Sequence, residues 1–300
     1  MVCLADTTRM SSDTGQELPG CVTLRWSGKT DPGRVRPNNE DSFLALTFDG
    51  KEMQFLGRTG QTTVERNDCI FAVSDGMGGA KSGEFASRIT VEGITRLLPK
   101  GFRLSAAGLS SGFSDLLEEL FGDIHRDLIH LGSSYEECQG MGATLSLCWF
   151  TPEWMYFGHI GDSRIYYLPK SGPMTQVSKD DTHIGWLFRK GEMTEREART
   201  HPRRNALEQA LGASSQFIDP QIGAVGLQDG DRFLICSDGL IDGLWDRHIE
   251  EHLTHGDNGL LDNGISDLLV ETAVENSGKD NTTALVIEVL QRSEGGGGRS

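Results

Sequence analysis

Acidic residues border apolar runs at five places in the sequence: Asp75 after 69–74, Asp162 after 154–160, Asp238 after 232–237, Asp280 before 283–289, and Glu40-Asp41 before 43–46. If these runs are core strands, their ends can converge, and unpaired carboxylates brought together repel one another. A hard divalent cation relieves that repulsion. The set contains no Cys and no paired His, and oxygen ligands alone favour Mg²⁺, Mn²⁺ or Ca²⁺ over zinc. The pattern therefore predicts a site for hard cations.

Taken one at a time, these acids have simpler explanations. Asp-Gly pairs such as Asp75-Gly76 and Asp238-Gly239 are typical of tight turns. Glu40-Asp41 alone would be a solvated charge pair. What favours a common site is that an acid recurs beside one apolar run after another.

Other metal and phosphate chemistries lack the residues they need. His248 and His252 are four apart, but no H-E-x-x-H motif surrounds them, so a surface helix explains them better than a zinc site. Residues 76–79 read Gly-Met-Gly-Gly, without the Lys-Ser/Thr of a P-loop. These glycines are better suited to a close approach of the backbone to an ion, just before a helix begins.

The charge balance and the cysteines narrow the function further. With 28 basic and 44 acidic residues the chain has a net charge of −16, opposite in sign to a typical nucleic-acid-binding protein. No apolar run approaches the ~18 residues of a membrane span, and the first residues are polar, so we expect neither a membrane anchor nor a secretory signal. Six scattered cysteines without a C-x-x-C pair favour reduced thiols and a cytoplasmic location.

The runs that must position the acids are typical of buried strands. We predict strands at 69–74, 144–150, 154–160, 164–168, 232–237 and 283–289. Thr151-Pro152-Glu153 predicts a hairpin, and Gly161-Asp162 predicts another tight turn. These hairpin signals favour antiparallel sheets over a parallel one.

Apolar side chains at three- and four-residue spacing predict helices over Ser82–Leu98, stopping at Pro99, and over Ser111–Leu131. A capping box of Thr194 and Glu197 predicts the start of a short helix. A late helix is predicted over 265–273 and closes near Gly278. Sheets with long one-sided helices predict an α+β layered sandwich, with helices on its outer faces. We expect one domain over 21–292, a disordered tail over 1–20 and a flexible tail over 293–300.

Six segments together resemble the protein phosphatase 2C family of metal-dependent serine/threonine phosphatases, and especially its compact bacterial members. They are, in order, Arg36–Asp41, Phe71–Gly79, Met141–Thr144, Gly158–Tyr166, Leu234–Asp242 and Gly278–Thr283. Each segment alone is a weak signal. Six of them in the family's order, spread over residues 36–283, make a chance match improbable.

The resemblance implies a four-layer α/β/β/α sandwich of two mostly antiparallel sheets, with two to three Mg²⁺ or Mn²⁺ ions in a cleft at the sheet ends. It implies that Asp75 bridges two metals, that Asp238 and Asp280 hold the first, and that the Gly76 carbonyl and Glu40 (through water) hold the second. It also implies a third site formed by Asp162, Asp238 and Asp242. Arg36 would bind the substrate phosphate, and Asp41 and Asn281 would lie behind the ligands.

The resemblance also implies a reaction and a substrate class. A metal-bridging hydroxide would attack the phosphate of phosphoserine or phosphothreonine in line, while the planar fork of Arg36 holds that phosphate. The substrates would be proteins phosphorylated by a Ser/Thr kinase, in signal transduction, and we expect a monomer. Two alternatives are a non-catalytic binding module, which the intact acids disfavour, and a hydrolase of nucleotides or nucleic acid, which the net charge disfavours.

The chain departs from the family at two places near the expected site. Animal members carry a His, proposed as general acid, where this chain has Met77, which cannot donate a proton. His159 is close in sequence, but its place in a strand predicts a packed core residue. The family usually reads Asp-His at the start of the mobile flap, where this chain reads Asp180-Asp181 with His183 two residues later.

Two further segments invite hypotheses about partners. The flap, 178–212, carries a basic patch of Arg189, Lys190, Arg196, Arg199, Arg203 and Arg204. The patch is suited either to docking of a phosphorylated or acidic substrate or to simple solvation of a helix face. The insertion 48–67 is longer and more polar than compact members need, and we predict a hairpin available for partner contact.

Overall fold

Two antiparallel sheets pack face to face in the computed structural model, which describes residues 22–65, 67–78, 82–106, 112–213, 217–255 and 264–291. In chain order the strands are β1 (Val22–Asp31), β2 (Asp41–Phe48), β3 (Met53–Phe55), β4 (Thr59–Val64), β5 (Asp68–Met77), β6 (Gly142–Ala143), β7 (Leu145–Phe150), β8 (Trp154–Ile160), β9 (Arg164–Leu168), β10 (Thr175–Gln176), β11 (Gln221–Gly226), β12 (Arg232–Cys236) and β13 (Thr282–Gln291). One sheet has the order β10-β9-β12-β13-β1-β4, and the other has the order β11-β8-β7-β5-β2-β3 with β6 beside β5.

Helices cover both outer faces. They are α1 (Ser82–Ala106), α2 (Phe113–Ser134), α3 (His183–Arg189), α4 (Glu195–Thr200), α5 (Asp238–Gly243), α6 (Asp246–His255) and α7 (Ile265–Asn276). The first two pack on the β5 sheet, while the last three pack on the β13 sheet. A third apolar layer fills the space between the sheets, where the rings of Phe71, Phe150 and Phe233 meet edge to face. The predicted four-layer sandwich with antiparallel sheets is confirmed.

The predicted strands and helices all occur, and apart from helix α1 their ends shift by about three residues or fewer. The hairpin at Thr151-Pro152-Glu153 joins β7 to β8, which pair in antiparallel register. The capping box of Thr194 and Glu197 forms with both of its hydrogen bonds. Strand β5 runs on to Met77, so Asp75 lies inside the strand rather than just after it.

Three expectations about local structure are wrong. Helix α1 does not stop at Pro99 but continues to Ala106. Proline removes one backbone donor, and packing of the preceding face, with Ile94 and Leu98 buried, keeps the helix in place. The Gly161-Asp162 turn does not close a hairpin, because β8 and β9 lie in different sheets. Its positive-φ Gly161 instead turns the chain from one sheet into the other.

The 48–67 insertion does not form a hairpin of its own, which is the third error. Its two strands pair with different sheets: β3 extends the edge beside β2, and β4 extends the edge beside β1. Trp26 Nε1 donates a hydrogen bond to the Gly57 carbonyl at 2.9 Å and fixes the connection. The insertion therefore spans the two sheet edges.

The described cysteines are Cys69, Cys138, Cys148 and Cys236, and all four are buried free thiols, as expected. Within the described ranges, no helix is long and apolar enough to cross a membrane. The expected tails over 1–20 and 293–300 lie outside the described residues.

Candidate active site

The predicted acids come together where strands of both sheets end. Asp41 and Asp75 are direct cross-strand partners in β2 and β5. Asp238 is the first residue of α5, directly after Ser237 and the end of β12. Asp162 lies in the turn that leaves β8, and Asp280 lies two residues before β13 begins. The charges of Asp41, Asp162, Asp238 and Asp280 all act on Asp75, so the fold places the five carboxylates in one neighbourhood.

This neighbourhood opposes ionisation of its own carboxyls. Burial, followed by the charges of the other acids, raises the pKa of Asp75 and of Asp238 well above the usual range. Burial also raises the pKa of Asp162 to about 7 and that of Asp41 to about 6. Such a cluster is costly without a counter-charge. It therefore suits a cation.

Two of the carboxylates have a buried oxygen without a partner among the described residues. Asp41 Oδ2 accepts hydrogen bonds from the hydroxyls of Ser237 at 2.7 Å and Thr283 at 2.6 Å. Its Oδ1 is buried and has no partner among the described residues, and the same holds for Asp238 Oδ1. Buried polar atoms normally have partners, so unpaired carboxylate oxygens fit a missing cationic ligand.

Donor side chains hold other carboxylates of the cluster in this structure. Arg36 Nη2 donates to Asp280 Oδ2 at 2.7 Å. Arg204 pairs with Asp242, and Asn205 Nδ2 donates to Asp238 Oδ2 at 3.1 Å. Accordingly, no three His, Cys, Asp or Glu side chains of the described part of the chain already surround one ion position. The donor set fits hard cations, but binding them requires these side chains to exchange partners.

Glycines allow the close approaches on the Glu40 side of the cluster. The Gly76 N–H donates to the Glu40 carbonyl at 3.1 Å. A Cβ on Gly76 would stand 1.9 Å from the Gly83 carbonyl oxygen, which no other residue tolerates. A Cβ on Gly83 would in turn stand 2.9 Å from Gly76 O and 3.0 Å from Glu40 Oε2. The carbonyl of Gly76 and the carboxylate of Glu40 therefore lie beside the same point.

Asn281 fastens the loop that carries Arg36 and Glu40. Its Oδ1 accepts from the Glu40 N–H at 2.7 Å, and its Nδ2 donates to the carbonyls of Pro32 and Asn38 at 2.9 Å each. Asn281 is itself buried. Arg36 lies at the open edge, with 45% of its side chain exposed.

His159 is a buried core residue, as predicted. Its Nδ1 lies 2.8 Å from Ser146 Oγ, and its Nε2 lies 3.1 Å from the Gly161 carbonyl oxygen. The neutral tautomer with hydrogen on Nε2 satisfies both contacts. Burial lowers the pKa of His159 to about 4, so the ring is neutral near pH 7 and is not a proton donor to a substrate.

The Asp180-Asp181 pair holds the root of the flap to the Asp162 turn. Asp180 receives two hydrogen bonds from the guanidinium of Arg164, at 2.9 and 2.7 Å. Asp181 Oδ2 accepts from the Gly161 N–H at 2.9 Å, and its own N–H donates to the Gly161 carbonyl at 2.7 Å. From the sequence, the pair was noted only as a departure from the family. The two hydrogen bonds between Asp181 and Gly161 give it a structural role.

Three of the five flap arginines, Arg189, Arg199 and Arg204, are engaged inside the protein, so only part of the predicted basic patch is free. Arg199 binds Glu195, Asp246 and the Ile241 carbonyl, and its guanidinium also lies over the Trp245 ring. Arg204 is held by Asp242, as described above. An open cleft lies between the flap and α5, and its lining includes Asp162, Asp238 and Asp242. The flap arginines that line this cleft, Arg199 and Arg204, are therefore paired, while Arg196 and Arg203 stay exposed.

Comparison with known proteins places this architecture among phosphatases. The sequence profile described as Protein phosphatase 2C matches residues 58–271. The serine/threonine protein phosphatase PstP of Mycobacterium tuberculosis is 31% identical over 280 residues, which is 91% of this chain but 46% of PstP. The serine/threonine phosphatase Stp of Listeria innocua is 30% identical and is matched over 87% of this chain and 94% of its own length. The chain thus spans about half of PstP and nearly all of Stp.

Solved structures agree in fold. The crystal structure of the M. tuberculosis phosphatase PstP/Ppp superposes with a TM-score of 0.71 at 30% identity, covering 90% of this chain and all of that one. A structure of the PstP catalytic domain in complex with two manganese ions superposes with a TM-score of 0.69 at 28% identity, with the same coverage.

Proposed function

Because the chain belongs to the protein phosphatase 2C family, we propose that it is a metal-dependent phosphatase of phosphoserine and phosphothreonine in proteins. The observation that carries the proposal is the buried carboxylate cluster, in which Asp238 Oδ1 has no partner among the described residues. The relatives named serine/threonine phosphatases and the manganese-bound PstP domain support it.

The proposed ligands divide into three groups. Asp75 would serve two ion positions, Asp238 and Asp280 would hold the first with it, and Gly76 O and Glu40 (through water) would hold the second. Gly76 and Glu40 already lie beside one point, which supports pairing them. Asp162, Asp238 and Asp242 form a third, weaker position. Asp41 holds no ion in this scheme. Two hydroxyl donors fix its Oδ2, and its charge raises the pKa of Asp75.

The reaction needs a nucleophile, a grip on the phosphate and a proton for the leaving oxygen. Bound Mg²⁺ or Mn²⁺ supplies a water of lowered pKa and charge that stabilises the phosphate oxygens. Arg36 presents two parallel N–H donors, which match two phosphate oxygens. Because one of its donors lies on Asp280 in this structure, substrate binding requires Arg36 to exchange Asp280 for phosphate.

Neither Met77 nor His159 delivers the proton to the leaving Ser or Thr oxygen. Met77 has no ionisable hydrogen, and His159 is buried and neutral. Either water or another side chain takes this role, or the step proceeds without a general acid. If no side chain donates the proton, the chemical step depends chiefly on positioning and charge.

Several features of the biological context remain predictions from the sequence. They are a cytoplasmic location, a monomeric state, a Ser/Thr kinase that supplies the substrates, and the choice between Mg²⁺ and Mn²⁺. The longer PstP contains sequence beyond the matched region, so the activity and substrates of whole relatives reach this chain only as proposals.

Hydrolysis of p-nitrophenyl phosphate tests the proposed function. We expect turnover with Mn²⁺, none in EDTA, and none in Asp75→Asn, because that variant removes the bridging carboxylate. Asp219→Asn is the matched control, since Asp219 is exposed and outside the cluster. Full activity of the wild type in EDTA would refute a metal-dependent mechanism.

A further inference from the structure

Two segments are fastened together along one edge of the candidate site: the loop 32–38 and the turn 278–281. The Arg34 N–H donates to the Gly278 carbonyl at 2.7 Å. Asn281 adds its two bonds to the loop carbonyls. A Cβ on Gly33 would stand 2.5 Å from the Asp280 carbonyl oxygen, so the two backbones touch. Side chains from both segments therefore share one edge.

Three cations stand on this edge. Arg36 is paired with Asp280. The side chain of Arg34 crosses the turn, with its Cγ 3.1 Å from the position that a Cβ on Gly278 would take. Lys279 is the next residue of that turn. Arg34 lies two residues before Arg36, and Lys279 directly precedes Asp280, so both cations stand on the two segments that carry the Arg36–Asp280 pair. We call Arg34 and Lys279 the cationic rim.

The cationic rim is free to meet a partner. Both side chains are exposed, and neither has an ion pair or side-chain hydrogen bond within the described residues. Val35, between the two arginines, is 69% exposed, so the loop itself is open. The chain has 44 acidic and 28 basic residues. From this composition we would expect cations near the site to have acidic partners, and these two have none within the described residues.

The flap arginines that line the cleft are already paired. These two, Arg199 and Arg204, are neutralised by Asp246 and Asp242. Arg189 donates to the Asp180 carbonyl, and Lys190 lies over the Trp186 ring. Arg196 remains an exposed flap cation and provides the natural comparison.

We propose that the cationic rim selects phosphoprotein segments that carry a second anionic group, an acidic side chain or a second phosphate, close to the phosphoresidue. This inference rests on the proposed phosphatase function and names its preferred substrate class. With the phosphate on Arg36, a neighbouring anion on the peptide falls on the edge that Arg34 and Lys279 occupy. Exposed charges of this kind alter specificity and association rather than chemistry.

Matched phosphothreonine peptides test the proposal. One peptide carries Gln on both sides of the phosphothreonine, a second carries Glu, and a third carries a further phosphothreonine. We expect wild-type kcat/KM to favour the anionic peptides by roughly three- to tenfold at low salt, and the preference to shrink in 0.5 M salt. The two anionic peptides separate carboxylate from phosphate recognition.

Charge-removing variants assign the preference to its residues. Arg34→Gln and Lys279→Gln should each lower it, and the double variant should abolish it, while turnover of the Gln peptide and of p-nitrophenyl phosphate stays unchanged. Arg196→Gln should leave it intact. A wild type without preference, a double variant that keeps it, or its loss in Arg196→Gln overturns the proposal. Absence of Mn²⁺-dependent turnover on every peptide would instead contradict the phosphatase function itself.

Discussion

Replacing Asp162 by asparagine should make the metal-free protein more stable at neutral and alkaline pH. Burial and then the charge of Asp180 raise its pKa from 3.8 to about 7, and they outweigh its own backbone hydrogen bond and the charge of Arg164, which favour the ionised carboxylate. In the absence of divalent cations, ionised Asp162 therefore destabilises the fold, first through burial of its charge and then through repulsion by Asp180. Asparagine keeps the shape of the side chain and removes the charge.

The pKa shift of Asp162 gives the size of the effect. About three pKa units at ~1.4 kcal/mol each set an upper limit of ~4 kcal/mol, and relaxation of the cluster reduces this to about 1–3 kcal/mol. The sign follows from proton binding. Because the folded pKa is raised, the folded state holds the proton more tightly, and wild-type stability is lost as pH rises from about 4 through about 7. The advantage of Asp162→Asn should therefore be largest at pH 8 and fall by more than half at pH 5.

Urea denaturation in EDTA between pH 5 and pH 8 measures this difference, with Asp219→Asn as the control for loss of an exposed acid. Adding Mn²⁺ should stabilise the wild type more than Asp162→Asn, because a ligand stabilises the state that binds it. An Asp162→Asn protein that is less stable than wild type at pH 8 in EDTA, or an advantage that does not change with pH, would refute the account of the cluster.

Three other substitutions test separate parts of the site. Gly76→Ala should cost ~3 kcal/mol and abolish activity, because its Cβ meets the Gly83 carbonyl at 1.9 Å; near-normal stability in urea would contradict this. Asp180→Asn should cost ~3 kcal/mol because it leaves the largely buried Arg164 with only the more distant carboxylate of Asp246, at 3.6 Å, and a loss below about 1 kcal/mol would show that the Arg164–Asp180 pair is dispensable. Arg36→Ala should lower kcat/KM on p-nitrophenyl phosphate about 100-fold, and Arg36→Lys, which lacks the two-donor fork, should recover only part of it; full recovery by lysine would rule out a role for the fork.

The sequence predicted the elements well wherever the apolar period was strong. Strands β8 and β9 begin and end at the predicted residues, because both are short apolar runs bounded by turn residues. The acids at the ends of such runs were also found from local pattern alone. The ligand roles of these acids stay predictions, although the fold brings all five carboxylates into one neighbourhood.

Features that depend on contacts between distant segments could not be read from the sequence. The pattern around Gly161-Asp162 marks a turn, but only the packing of two sheets decides that the turn crosses between them. Likewise, the charge pattern of the flap shows several arginines without showing that Arg204 reaches Asp242, 38 residues further along the chain. The helix through Pro99 is of the same kind, since tertiary packing overrides a local preference there.

The most direct test of a carboxylate-held metal cluster that dephosphorylates proteins is a Mn²⁺ titration of phosphate release from a phosphothreonine peptide. The wild type should be inactive in EDTA and gain activity as Mn²⁺ saturates, while Asp75→Asn should stay inactive at every concentration. Calorimetric titration of the same proteins should show weaker Mn²⁺ binding by Asp75→Asn. Wild-type activity that persists without metal, or an Asp75→Asn protein that matches the wild type in both experiments, would contradict the account.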